Sequence, residues 1–100
     1  MDKYTVKLNA RAYRDLDEIF DYISEDLQSP ENARKQTDRI WAALKKLDTF
    51  PQAHQERLTG HYARKVYRQL PIDNYIAIFS VDEIKKVVNI VTIQYQGRNL

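Results

Sequence analysis

The hydrophobic period of this chain changes once, near Gly60, and no other feature limits its fold as much. Before that point apolar residues recur every three or four positions, as on a helix with one buried stripe. After it they alternate or run together, as in strands. Between residues 10 and 27, Ala12, Leu16, Ile19, Phe20, Ile23 and Leu27 keep the helical spacing, while Arg14, Asp17, Glu18, Asp21 and Glu25 lie mostly elsewhere. Ser29-Pro30-Glu31 restarts the pattern. The serine stands at a cap, the proline at the first helical position where its missing N–H costs nothing, and the acid near the positive end of the dipole. Ala33, Thr37, Ile40, Leu44 and Leu47 carry the second helix, and Phe50-Pro51 closes it. With about two residues between them, the helices pair as an antiparallel hairpin.

Strand signals flank this pair. Tyr4, Val6 and Leu8 alternate with Lys3, Thr5 and Lys7, giving one strand before Asn9, which is placed to cap the first helix. Residues 62–70, 74–81 and 86–95, rich in Tyr, Ile, Val and Phe, give three more, expected as antiparallel neighbours. The order β-α-α-β-β-β, with helices packed on one face of a small antiparallel sheet, is an α+β fold. In Tyr75-Ile76-Ala77-Ile78-Phe79 and Val87-Val88-Asn89-Ile90-Val91 both faces are apolar, so the helices cover only one of them. The other is expected to curl on itself or to meet a partner.

Length and composition fix the setting. One hundred residues with 43% hydrophobic content, 2 Gly and 3 Pro make a single globular domain over residues 1–100. The chain has no cysteine, and its two histidines lack ligand-like spacing, so neither a disulfide, a metal nor a cofactor is expected. No long apolar run and no leader-like start are seen, which points to the cytoplasm and away from membranes. Residues 1–50 carry 9 Lys/Arg against 10 Asp/Glu, whereas residues 51–100 carry 7 against 4. The basic excess is densest between His54 and Ile72, where Arg57, Arg64, Lys65 and Arg68 face only Glu56, with His61 added. Such a stretch attracts a polyanion, or it is an ordinary solvated face.

Single residues in the second half admit two readings each. Leu70-Pro71-Ile72 suits an edge strand, because proline lacks a ladder donor. Tyr75 fits cross-strand packing, and Tyr95 fits packing and chemistry equally. The planar fork of Arg68 suits a phosphate, or a tie from its loop to an acid of the helices.

Taken in order, the motifs resemble the RelE/ParE superfamily of type II toxin–antitoxin toxins, and its ParE-like branch in particular. Val6-Lys7-Leu8-Asn9, Ala12, Asp15-Leu16, Ile19 and Tyr22-Ile23 are similar to the family's first strand and helix, and Leu47-Asp48-Thr49-Phe50-Pro51 to the end of its second. Arg68-Gln69-Leu70-Pro71-Ile72-Asp73-Asn74-Tyr75, leading into Ile76-Ala77-Ile78-Phe79-Ser80-Val81, is similar to its arginine, leucine-proline-aliphatic and tyrosine signature. Tyr95-Gln96-Gly97-Arg98-Asn99 is similar to the aromatic or histidine and basic pair that close its relatives.

The resemblance implies a growth-arresting toxin with a cognate antitoxin as tight partner, an acidic or amphipathic segment that folds as it wraps the toxin. Trp41 and Phe20 are its candidate anchors, and operator DNA would be reached only through that antitoxin. For a ribosome-dependent messenger ribonuclease, Lys65, Arg68, Tyr95 and Arg98 would form the catalytic set, and Arg57, His61 and Arg64 would contact RNA. Two positions depart from that pattern: Ile76 stands where ribonucleases carry an arginine, and Gln96 where the basic residue follows the aromatic. Losing one such group removes on the order of 3 kcal/mol of transition-state stabilisation. A basic, tyrosine-rich surface suits RNA, which places messenger cleavage first and ParE-like poisoning of DNA gyrase second. A third alternative is an inactive module that acts with its antitoxin in operon autoregulation.

Overall fold

The computed structural model describes residues 3–57 and 66–96. Strand β1 (Thr5–Leu8) leads into helix α1 (Ala10–Asp21), which continues as a π-helical turn over Tyr22–Asp26. Helix α2 (Pro30–Lys45) ends in a 3₁₀ turn (Lys46–Asp48), and a second such turn follows (Pro51–Ala53). Strands β2 (Tyr67–Ile72), β3 (Tyr75–Asp82) and β4 (Val87–Tyr95) complete one sheet in the order β1-β4-β3-β2. The expected α+β architecture is present.

The core follows the spacing of the sequence. Ala12, Leu16, Ile19 and Ile23 from the first helical segment meet Ala33, Ile40, Leu44 and Leu47 from the second over Tyr75, Ala77, Phe79, Val88, Ile90 and Ile93 of the sheet. Each fully buried Leu, Ile or Phe contributes about 1.5–3 kcal/mol of transfer free energy, so this layer holds the helices on the sheet. Ile76 and Ile78 are buried too but lie outside that cluster, as their alternation with Ala77 and Phe79 requires. Among the described residues no helix is long and apolar enough to cross a membrane.

Several local expectations are corrected. The sheet is mixed, because β1 runs parallel to β4, while β2, β3 and β4 are antiparallel neighbours. Neither Asn9 nor Ser29 caps its helix through the side chain, although both occupy the cap position and Pro30 opens α2. The first helix does not run on as α-helix to Leu27. The π-helical turn winds more residues into each revolution, so Leu27 swings off the buried stripe and is 56% exposed. Strand β2 starts at Tyr67 in the described chain, and residues 62–65 of its expected range lie outside the described residues.

Two details shape the sheet's ends. On the outer side of β2, the Arg57 N–H donates to the Tyr67 carbonyl and the Gln69 N–H to the Gln55 carbonyl, both at 2.9 Å. Residues 55–57 thus close the first half of that edge, and Pro71 occupies the remainder without a donor. In the β3–β4 ladder Ile78 pairs with Thr92 but Phe79 pairs with Ile90, which makes Val91 an inserted bulge residue.

Candidate functional site

The predicted basic and aromatic residues fall at two places on the sheet. Arg57 and Arg68 lie at the β2 edge. Arg68 pairs with Phe79 in the ladder and donates from Nη1 to the His54 carbonyl at 2.8 Å. That bond ties the strand to the loop after α2, and its acceptor is a backbone carbonyl, not the helix acid that one reading of Arg68 expected. Arg57 donates from Nη1 to Gln69 Oε1 at 2.9 Å, and its Nε is buried with no partner among the described residues. The His54 ring stands edge-on to Phe79, 5.9 Å between centroids.

Tyr95 lies elsewhere. It faces Tyr75 across the β3–β4 ladder at the opposite end of the strands. Tyr75 and Phe79 are four positions apart on β3, and two strand spacings separate β2 from β4. The strand rise and spacing then put Arg68 and Tyr95 about 16 Å apart at Cα. These two candidates are not brought together. Lys65, His61, Arg64 and Arg98 lie outside the described residues.

The sheet end around Tyr95 has a built character that the sequence did not reveal. The β2–β3 connection is the two-residue turn Asp73–Asn74, with Asp73 in the left-handed region at φ 55°. Aspartate tolerates this backbone region better than most residues, and its side chain is engaged here. Its Oδ2 accepts from Arg39 Nε at 2.8 Å and Gln36 Nε2 at 2.9 Å, clamping the turn to α2. These bonds, from Arg39 first and Gln36 second, hold the Asp73 carboxyl below the usual carboxylate range. Next to the turn, the Gln96 N–H donates to the Asn74 carbonyl at 2.7 Å, fastening the end of β4.

Between this end and the helices runs a groove of about 840 Å³, lined by Tyr22, Leu27, Lys35, Arg39, Tyr75 and Tyr95 among others. Tyr75 is buried and Tyr95 is 66% exposed, with ring centroids 5.6 Å apart. Burial raises the Tyr75 phenol above its ordinary range, and the neighbouring Tyr95 and Tyr22 add to the shift. A phenol held neutral in this way donates a hydrogen bond near neutral pH but does not act as a base. The packing reading of Tyr75 is the one the structure supports. Ile76, at the ribonuclease arginine position, is 2% exposed and pairs with Pro71 and Gln94, so that level of the sheet carries no cation across three strands.

Sequence reasoning quoted Asp73 only within the Arg68–Tyr75 signature and gave Arg39 and Gln36 no role, because polar residues on an exposed helix face look the same in sequence whether they clamp a turn or meet water. It also left Asp15 and Thr92 without a role, although Asp15 Oδ2 accepts from both the Thr92 hydroxyl and the Ile93 N–H.

Comparison with known proteins bears on this geometry. A family model described as ParE toxin of type II toxin–antitoxin system, parDE, matches residues 6–100. The chain is similar to one from the chromosomal ParDE toxin–antitoxin system of P. aeruginosa, with 25% identity and a TM-score of 0.79 over 95% of this chain and 98% of that one. Its fold is also that of a chain in the RelE–RelB complex of Pyrococcus horikoshii (19% identity, TM-score 0.63, 97% and 99% covered). The same holds for the RelBE2 toxin–antitoxin complex of Mycobacterium tuberculosis (17% identity, TM-score 0.61, 93% and 98% covered). No curated protein matches the chain by sequence.

Proposed function

The chain belongs to the ParE toxin family of type II toxin–antitoxin systems, and on that premise we propose that it arrests growth by binding a protein, DNA gyrase, rather than by cleaving messenger RNA. The gyrase target is what the ParE-like resemblance implies. The observation that carries the choice is the separation of the two described catalytic candidates. Arg68 is engaged by the His54 carbonyl at one end of the sheet, and the Cα of Tyr95 stands about 16 Å from its own at the other. Phosphodiester cleavage needs cations and a proton-transfer group converging on one phosphate, each within hydrogen-bond reach of its oxygens. Binding asks less, because a few exposed anchors beside fixed backbone suffice. Tyr95 and Tyr22, both exposed at the mouth of the groove, are such anchors.

A cognate antitoxin is the second partner of this reading. The similar chains from P. horikoshii and M. tuberculosis come from toxin–antitoxin complexes. Phe20 is exposed on α1, and Trp41, packed partly against the core and tilted over Tyr13, offers an edge of its ring on α2. An amphipathic antitoxin segment covers these residues and neutralises the basic stretch around Arg57, His61, Arg64, Lys65 and Arg68. Operator DNA is reached through that partner, and all of this takes place in the cytoplasm.

The test runs a gyrase supercoiling assay beside primer extension on messenger RNA in a translating extract. Inhibited supercoiling with intact messenger, both unchanged by Arg68→Ala, is expected. Codon-phased cuts that vanish with Arg68→Ala, Lys65→Ala or Arg98→Ala would restore the ribonuclease reading.

A further inference from the structure

Helix α1 and the last strand are joined by a small polar network. Thr92 is fully buried, the only non-aromatic polar side chain so placed among the described residues. Its hydroxyl donates to Asp15 Oδ2, and it accepts from Arg11 Nε at 3.3 Å. The same Asp15 oxygen accepts from the Ile93 N–H at 2.9 Å. All of this sits immediately after the bulge at Val91. Ladder alternation pairs Thr92 with Ile78, on the face away from the helices, and the bulge re-aims the threonine toward α1.

A half-buried carboxylate is a poor choice for cohesion alone. Taking it from water costs free energy that an apolar contact of the same volume would not. What it supplies is direction, since two donors three atoms apart on β4 meet one oxygen and fix both the side chain and the backbone after the bulge. Three residues beyond Thr92 stands Tyr95, whose ring is held against Tyr75 at the groove.

We propose that Asp15, acting through Thr92 and the Ile93 N–H, is a positioning residue that sets the end of β4 and so presents Tyr95 at the working surface of the toxin. This rests on the toxin reading above for its biological consequence, but its structural content stands apart from it. Asp15 acts by holding residues 92–95 in the register that places Tyr95 over Tyr75.

The experiment uses the full chain with Thr92→Val, which keeps the shape and removes the hydroxyl, Asp15→Ala, and the conservative Thr92→Ser. Amide hydrogen exchange, the nuclear Overhauser contact between the Tyr75 and Tyr95 rings, and growth arrest on induction are measured for each. In the first two variants, exchange at Ile93 to Gln96 should rise roughly tenfold or more while the centre of β3 keeps its protection. The ring contact should vanish and growth arrest weaken, and Thr92→Ser should restore both. Persistence of the ring contact in Thr92→Val and Asp15→Ala would overturn the proposal, as would its loss with growth arrest unchanged or unfolding of the whole sheet. If the unaltered chain itself fails to arrest growth, the toxin reading falls, and the positioning role is then decided by the ring contact and exchange alone.

Discussion

Tyr75 and Tyr95 stand opposite one another in the β3–β4 ladder, their ring centroids 5.6 Å apart and their planes inclined at 62°. The inner ring is buried and the outer one open to solvent.

Alkaline stability follows from the inner ring. Burial, with Tyr95 and Tyr22 adding to it, raises the Tyr75 phenol above the value of 10.0 it has in the unfolded chain. The folded state therefore keeps this proton after the unfolded state has lost it. The contribution is complete below pH 10 and is lost as pH rises through the folded value. Melting temperatures measured between pH 8 and 11 should fall above pH 10, and Tyr75→Phe should flatten that fall.

The Asp73 turn gives a prediction at the other end of the scale. Its carboxyl, held below the usual range by Arg39 and Gln36, contributes stability above the unfolded value and loses it as pH falls through the folded one. Asp73→Asn should therefore weaken the dependence of melting on pH in the acid limb. Because φ is 55°, Asp73→Ala should be less stable than Asp73→Gly by about 1 kcal/mol, read from chemical denaturation.

Core truncations should destabilise the fold strongly. Ile40 and Leu44 are fully buried between α2 and the sheet, and replacing either by alanine should cost about 2–5 kcal/mol. Against a total of about 5–15 kcal/mol for a domain, that loss is a large fraction of the stability. Soluble yield and denaturation midpoints are the measurements, and growth arrest should fall in parallel.

Trp41 offers an optical readout of the antitoxin, because it is the chain's single tryptophan and lies half-buried beside Tyr13. Adding the cognate antitoxin should shift its emission to shorter wavelength as the remaining edge is covered. An unchanged spectrum in a complex that forms by size-exclusion would place the antitoxin away from this helix face.

Much of the fold was legible because periodicity reports faces. The stripe from Ala33 through Ile40 and Leu44 to Leu47 meets the sheet as its spacing requires. Periodicity does not report neighbours, which is why the parallel pairing of β1 with β4 was not readable from Thr5 to Leu8. Nor does it report winding. Ile19, Ile23 and Leu27 keep a spacing of four through a turn that is π-helical, and only the exposure of Leu27 betrays the change. The site was less legible still. Arg68 looks the same in sequence whether it meets a phosphate or the His54 carbonyl, and Thr92 reads as an ordinary strand residue until the bulge beside it turns it toward Asp15.

The pairing of Thr5 with Val87 spans 82 positions, and that span sets a clock. At a synthesis rate of roughly 5–20 residues per second, β1 emerges about 4–16 s before its partner is made. The helices can form meanwhile from local contacts, but the sheet's long-range closure waits for the last strand. A chain cut short before Val87 therefore has no neighbour for β1, and a stalled or truncated product lacks the finished sheet on which every surface described above depends.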